Sequence, residues 1–279
     1  ALAGYARAAE RLPDSVDVYL MWGWNYEQRQ LWDAAVAVYR KGLAAVGPRV
    51  EIYIRWGIVL GRQERWHEAI GRYRKAVETD STHADAHLHW GVALEKLNQW
   101  DEAVAQLERA VALGPDDTVT LFYLGSALEQ VSRERPDSDD FDRAVATFRR
   151  LLALNPDDAY ALNYLGYSFA ERGVHLEEAV ELLNRAVAID PENGAFFDSL
   201  GWAYYRLGEL AEAERFLWRA IEQLTDHEDE VGVEREAVDG APRAVGAVDD
   251  RQRTARSVVA GERRGYYRPR PEVVRHALA

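Results

Sequence analysis

A chain of 279 residues with 48% apolar residues, nine Trp, 14 Tyr and seven Phe has the material for a packed core and not the composition of a disordered protein. Its formal charge is −13 at pH 7, and ten acids balanced by ten bases from Glu228 onward put the whole excess in the first 227 residues. Such a body repels nucleic-acid phosphates and anionic lipid, no run of about 18 apolar residues offers a spanning helix, and the lack of cysteine removes disulfides, thiolate metal sites and Cys nucleophiles.

Residues 1–15 read as the second helix of a truncated helix pair, because Tyr5, Ala8 and Pro13 match the second half of the units that follow. The chain starts on Ala1 in mid-repeat, so an upstream segment is expected. From Val16 a period is visible: Trp22-Gly23, Trp56-Gly57 and Trp90-Gly91 are 34 residues apart, as are Trp32, Trp66 and Trp100, and Leu124-Gly125, Leu165-Gly166 and Leu200-Gly201 continue the first series. Aligned on that glycine, the chain divides into six units, 16–49, 50–83, 84–117, 118–158, 159–193 and 194–227. The fourth has about seven extra residues around Ser132–Asp139 and the fifth has one near Val174.

Each unit reads as two amphipathic helices. In the third, His87, Trp90, Gly91 and Leu94 form one stripe at helical spacing and Ala103, Leu107 and Ala110 a second. Asn98-Gln99 separates them, and Gly114-Pro115-Asp116-Asp117 supplies turn chemistry and an acidic start for the next helix. A glycine inside a helix costs about 1 kcal/mol against alanine. Its recurrence points to close approach of the partner helix, where Ala35, Ala69, Ala103, Ala144, Ala179 and Ala213 stand at the facing position. By the same period Trp90 and Trp100 are packing residues and not a ligand clamp.

This pattern resembles the tetratricopeptide repeat, for example in Phe197, Leu200-Gly201, Tyr204, Ala213, Leu217 and Ala220, with closing prolines such as Pro156 and Pro191. The departures are Trp in place of the usual Leu in units one to three, and His87 where Trp or Leu is preferred. The resemblance implies an all-α fold, a right-handed α-solenoid of antiparallel helix pairs, with an irregular C-terminal tail. It also implies a non-catalytic, bacterial-type scaffold that binds a protein or extended peptide in a concave groove lined by the first helix of each pair. The alternative is a targeting or regulatory part of a larger enzyme or envelope transport or assembly system. Cytoplasm and cell envelope both fit, with the envelope favoured if a signal lies upstream.

Residues off the buried stripe of the first helices are the groove candidates. Units one to three offer Leu20, Trp24, Ile54, Arg55, Ile58, Leu88, His89 and Val92. The richer set comes later: Phe122, Tyr123, Asn163, Tyr164, Tyr167, Asp198, Trp202, Tyr205 and Arg206, aromatic rings interleaved with hydrogen-bonding groups, as in recognition surfaces. Some relatives grip a C-terminal carboxylate with Lys, Asn and Arg. Leu20, Trp24, Arg55, Asp85 and His89 stand there instead, which disfavours that ligand.

No other motif supports chemistry, and neither a metal nor a cofactor is expected. Ser168 in "GYSFA" lies within a helix and not at the strand-to-helix turn of a hydrolase elbow. His83 and His87 have ligand spacing without a third ligand, and Asp137–Asp142 lacks the glycine and glutamate of a calcium loop, so its acids read as caps for the next helix. Residues 228–279 lose the period and read as irregular or disordered, with a basic stretch over Arg263–Arg270 suited to an acidic partner.

Overall fold

The computed structural model describes residues 2–223. The tail over 228–279 lies outside the described residues. Among the described residues every regular element is helical: α1 Leu2–Arg11, α2 Val16–Glu27, α3 Trp32–Val46, α4 Val50–Arg62, α5 Trp66–Thr79, α6 Ala84–Glu95, α7 Trp100–Leu113, α8 Thr118–Glu134, α9 Asp140–Leu154, α10 Ala159–Arg172, α11 Leu176–Ile189 and α12 Gly194–Leu207, followed by α13 over 210–223. They fall into two compact units that divide between Asn155 and Pro156.

In the N-terminal unit α2 pairs with α3, α4 with α5, α6 with α7 and α8 with α9; each second helix also packs on the next first helix, and the first helices α2, α4, α6 and α8 lie against one another in succession. The C-terminal unit repeats the scheme with α10, α11 and α12. The core of the N-terminal unit is a series of nearest-neighbour layers, as the short period requires. One layer joins Leu60, Tyr73, Leu94, Leu107 and Leu128 from α4 to α8.

The recurring glycine meets a different neighbour from the one expected. The facing alanines are all buried, at 3% exposure or less. Yet the side chain against the glycine stands four residues further on in all six units. A Cβ on Gly23 or Gly57 would overlap the ring of Tyr39 or Tyr73; on Gly91, Gly125, Gly166 and Gly201 it would come within 2.6–2.7 Å of Leu107, Phe148, Leu183 and Leu217. Only at Gly166 does the alanine itself press close, through the Ala179 carbonyl at 3.0 Å. The gap is opened for a large side chain, and the alanine lets the helices approach beside it.

The six periodic tryptophans are only half-buried. Trp56, Trp66, Trp90 and Trp100 pack on the central layer and Trp32 on the one before it, while Trp22 lies against Ala9, Tyr19 and Val38. Their remaining faces take cations: Lys41 lies over Trp22 at 5.2 Å, Arg72 over Trp56 at 4.2 Å and Arg74 over Trp90 at 5.6 Å.

The turn between paired helices is also periodic. Gln30, Glu64 and Asn98, 34 residues apart, have φ of 55°, 59° and 56°, and Gly173 and Gly208 occupy the same place with φ of 69° and 92°. In the fourth unit the extra residues lengthen α8 past this point. The loop after it is held by ions: Arg135 reaches Asp101 at 2.5 Å and Asp140 at 3.6 Å, and Arg143 reaches Asp140 at 2.5 Å. Asp139 at the helix start makes no side-chain cap, so Asp140, 6% exposed, is an ion-pair partner and not a capping acid. Capping does occur where α8, α10 and α12 begin, at Asp117, Asp158 and Asn193.

Candidate functional site

Because the first helices of the N-terminal unit pack side by side, residues one turn apart on α2, α4 and α6 share one surface. There Leu20, Met21, Trp24, Glu51, Ile54, Arg55, His83 and Asp85 line an open, largely apolar groove of about 510 Å³. Met21 is 54% and Trp24 45% exposed, unusual for apolar side chains of this size. The lining Arg55 pairs with Glu27 at 3.5 Å, and Glu27 also accepts a hydrogen bond from the Tyr39 hydroxyl. Burial, then that carboxylate, holds the Tyr39 hydroxyl well above the ordinary tyrosine range. Next to the groove, His89 stacks on Tyr73 at 5.8 Å. Burial, opposed by Asp85 and assisted by Arg55, lowers the His89 pKa and so disfavours the charged ring.

The later candidates are divided between the two units. On α8, Phe122 meets the Phe148 ring edge-on at 5.9 Å and Tyr123 leans on the central layer, both half-buried. On α10, Asn163, Tyr164 and Tyr167 are half-buried, as are Asp198, Tyr205 and Arg206 on α12, which packs beside α10. Trp202 is 8% exposed; Tyr205 stacks on it at 5.4 Å and the Arg206 guanidinium lies 5.5 Å from its ring centre. Arg206 also donates to the Glu171 carbonyl at 2.7 Å, satisfying the end of α10. Trp202 and Arg206 therefore carry part of the packing of their own unit. Sequence reasoning named Leu20, Trp24, Ile54 and Arg55, and Asp85 at a carboxylate-clamp place, but passed over Met21, Glu51 and His83 as lining. The signal was available in the period: Met21 stands one repeat before Arg55, in a place later taken by Tyr123 and Tyr164.

Ser168 is buried in the middle of α10. His87 is 6% exposed and bonds Gln106 Oε1 at 2.9 Å through Nδ1 and the Ser81 carbonyl at 3.2 Å through Nε2. One arrangement satisfies both contacts with a neutral ring: Nε2–H donates to Ser81, and the Gln106 amide, turned over, donates to Nδ1. Among the described residues no three His, Asp or Glu side chains gather as metal ligands, and no helix is long and apolar enough to cross a membrane.

Two family models described as tetratricopeptide repeat match residues 54–118 and 133–194, and 175–231, together more than half of the chain. The chain belongs to the tetratricopeptide repeat family. The TPR repeat-containing protein PA4667 of Pseudomonas aeruginosa is 44% identical over 62 residues, 22% of this chain and 10% of the relative, so the chain spans about a tenth of that protein. Among solved structures, YrrB, described as a TPR protein with an unusual peptide-binding site, is 25% identical with a TM-score of 0.57, covering 70% of this chain and 97% of its own. A tetratricopeptide repeat protein from Parabacteroides merdae superposes over 94% of this chain and 97% of its own with a TM-score of 0.66 at 13% identity, a likeness of fold alone. This tetratricopeptide array is an all-α solenoid of the kind that serves as a protein-interaction scaffold.

Proposed function

We propose that the array is a non-catalytic scaffold that binds a protein or extended peptide along the exposed faces of its first helices. The observation that carries this reading is the set of half-buried tyrosines on adjacent helices of the C-terminal unit, Tyr164 and Tyr167 on α10 and Tyr205 on α12, interleaved with Asn163 and Asp198. Tyrosine rings give large contact area for two rotatable bonds, and the neighbouring amide and carboxylate supply direction to a peptide backbone. Phe122 and Tyr123 on α8 offer the same chemistry in the N-terminal unit. The peptide-binding site described for YrrB supports the reading by analogy.

The test is capture of partners from a lysate of the source organism by the array and by a Tyr164→Ala, Tyr167→Ala, Tyr205→Ala variant. Trp202, 8% exposed and part of the packing of its unit, is left in place, and thermal unfolding checks that Tyr205→Ala, which gives up its stacking on Trp202, leaves the variant folded. Loss of a partner by a folded variant supports the reading. Equal recovery overturns the assignment of these residues.

A further inference from the structure

The groove of the N-terminal unit has a charge pattern that the tyrosine face does not explain. Its floor is Leu20, Met21, Trp24 and Ile54, and its charged lining is Glu51, Arg55 and Asp85. Arg55 is the only permanent cation of the set, and its charge is already matched by Glu27 at 3.5 Å. Glu51 and Asp85 are exposed and enter no ion pair among the described residues. His83 completes the polar lining, and burial lowers the pKa of the neighbouring His89. The groove is thus an apolar trough with two unneutralised carboxylates at its edge, on a body with a large negative excess.

We propose that this groove is a second docking site, specific for an extended cationic peptide. One large apolar side chain of the peptide would seat against Trp24, Met21, Leu20 and Ile54, and flanking Arg or Lys would be held by Glu51 and Asp85. The proposal rests on the peptide-binding reading of the array but on different residues. An acidic peptide would bring its charges against the same two carboxylates and is rejected. The apolar floor supplies affinity, and the rim carboxylates supply selection and the approach rate. A volume of about 510 Å³ admits one aromatic or long aliphatic side chain with its neighbouring backbone.

Two fluorescein-labelled nine-residue probes test it, each with a central leucine; one has an arginine two places to either side, the other glutamate at those places, and the remainder are glycine and serine. Fluorescence anisotropy should show the arginine probe binding at least about 10-fold more tightly than the glutamate probe, with the gap narrowing as salt is raised. A Glu51→Arg, Asp85→Arg variant should reverse the preference, and Trp24→Ala should weaken the arginine probe about 10-fold or more. These three side chains are exposed, so the variants should keep the unfolding midpoint of the parent, which thermal unfolding checks. The Tyr164→Ala, Tyr167→Ala, Tyr205→Ala variant should bind the arginine probe within about 2-fold of the parent, which separates this site from the tyrosine face. Equal binding of both probes, or undiminished binding by Trp24→Ala, overturns the proposal. So does a self-associating species in sedimentation that Trp24→Ala abolishes while neither probe binds, because the occupant is then a second copy of the chain.

Discussion

The ring of Tyr39 occupies the space that a Cβ on Gly23 would need, and Tyr73 stands in the same relation to Gly57 one repeat later. Alanine at Gly57 would gain about 1 kcal/mol of helix propensity and lose more, because a ring that is 3% exposed between two helices has no free space to move into. Gly57→Ala should therefore destabilise the array by about 1–3 kcal/mol in urea unfolding. Gly71, inside α5 with nothing within 4 Å of its missing Cβ, is the control. Gly71→Ala should stabilise by about 0.5–1 kcal/mol. A stabilising Gly57→Ala would show that the ring contact is not what holds the glycine.

The turn between paired helices makes a second, independent prediction. Gln30 and Glu64 hold φ of 55° and 59°, a left-handed conformation that costs a residue with a Cβ roughly 1–2 kcal/mol. The equivalent positions in the last two units already carry Gly173 and Gly208. Glu64→Gly should raise stability by about 0.5–1 kcal/mol, the strain relieved being partly offset by the freer unfolded chain. Gly208→Ala should lower it by a similar amount. Differential scanning calorimetry of the two variants beside the parent checks both signs.

How far the sequence led can be judged on these same residues. The 34-residue period exposed the helix pairs, the glycine and the buried alanines, because each layer must repeat its packing to cover its neighbour. The partner of that glycine was misjudged: spacing alone identifies a small facing residue but not which rotamer fills the gap, and Tyr39 four places on is what fills it. The left-handed turn was half legible, since Asn98 is a familiar left-handed residue while Gln30 and Glu64 are not. Trp202 was named as a groove ring because it lies off the buried stripe of its helix, at the helical position that Trp24 holds in the first unit. Position sets direction, but the cover by Tyr205 and Arg206 depends on tertiary contacts, so Trp24 is open and Trp202 is closed.

Glu95, at the end of α6, should make stability depend on pH. Its Oε1 is buried without a hydrogen-bond partner, and burial, only partly opposed by Lys96, pushes its carboxyl up to about 8. An unfolded glutamate titrates at about 4.3. Below that value both states hold the proton and nothing is lost. As pH rises from there to about 8 the unfolded chain releases its proton while the folded one retains it, so stability falls through this window and levels off above it. Glu95→Gln removes the titration. The variant should match the parent near pH 4 and exceed it by a few kcal/mol near pH 8.5 in urea titrations. A constant difference across that range would mean that Glu95 ionises normally in the folded array.

Arg206 can be assigned to the fold or to a ligand by a pair of substitutions. Its Nη1 donates to the Glu171 carbonyl at 2.7 Å while the guanidinium plane covers Trp202 at 5.5 Å, two contacts that a planar, multiply donating group makes together and an ammonium makes less well. A Cβ on Gly173 next to it would meet the movable end of Arg206 at Nη2, and its φ of 69° is what favours glycine there. Arg206→Ala should cost about 1–2 kcal/mol through the lost hydrogen bond to the end of α10 and the uncovered indole. Arg206→Lys should recover less than half of that loss, since it restores the charge but not the plane. If both variants keep the parent's unfolding midpoint and only capture of a partner declines, Arg206 belongs to the binding face and the contact with Glu171 is incidental.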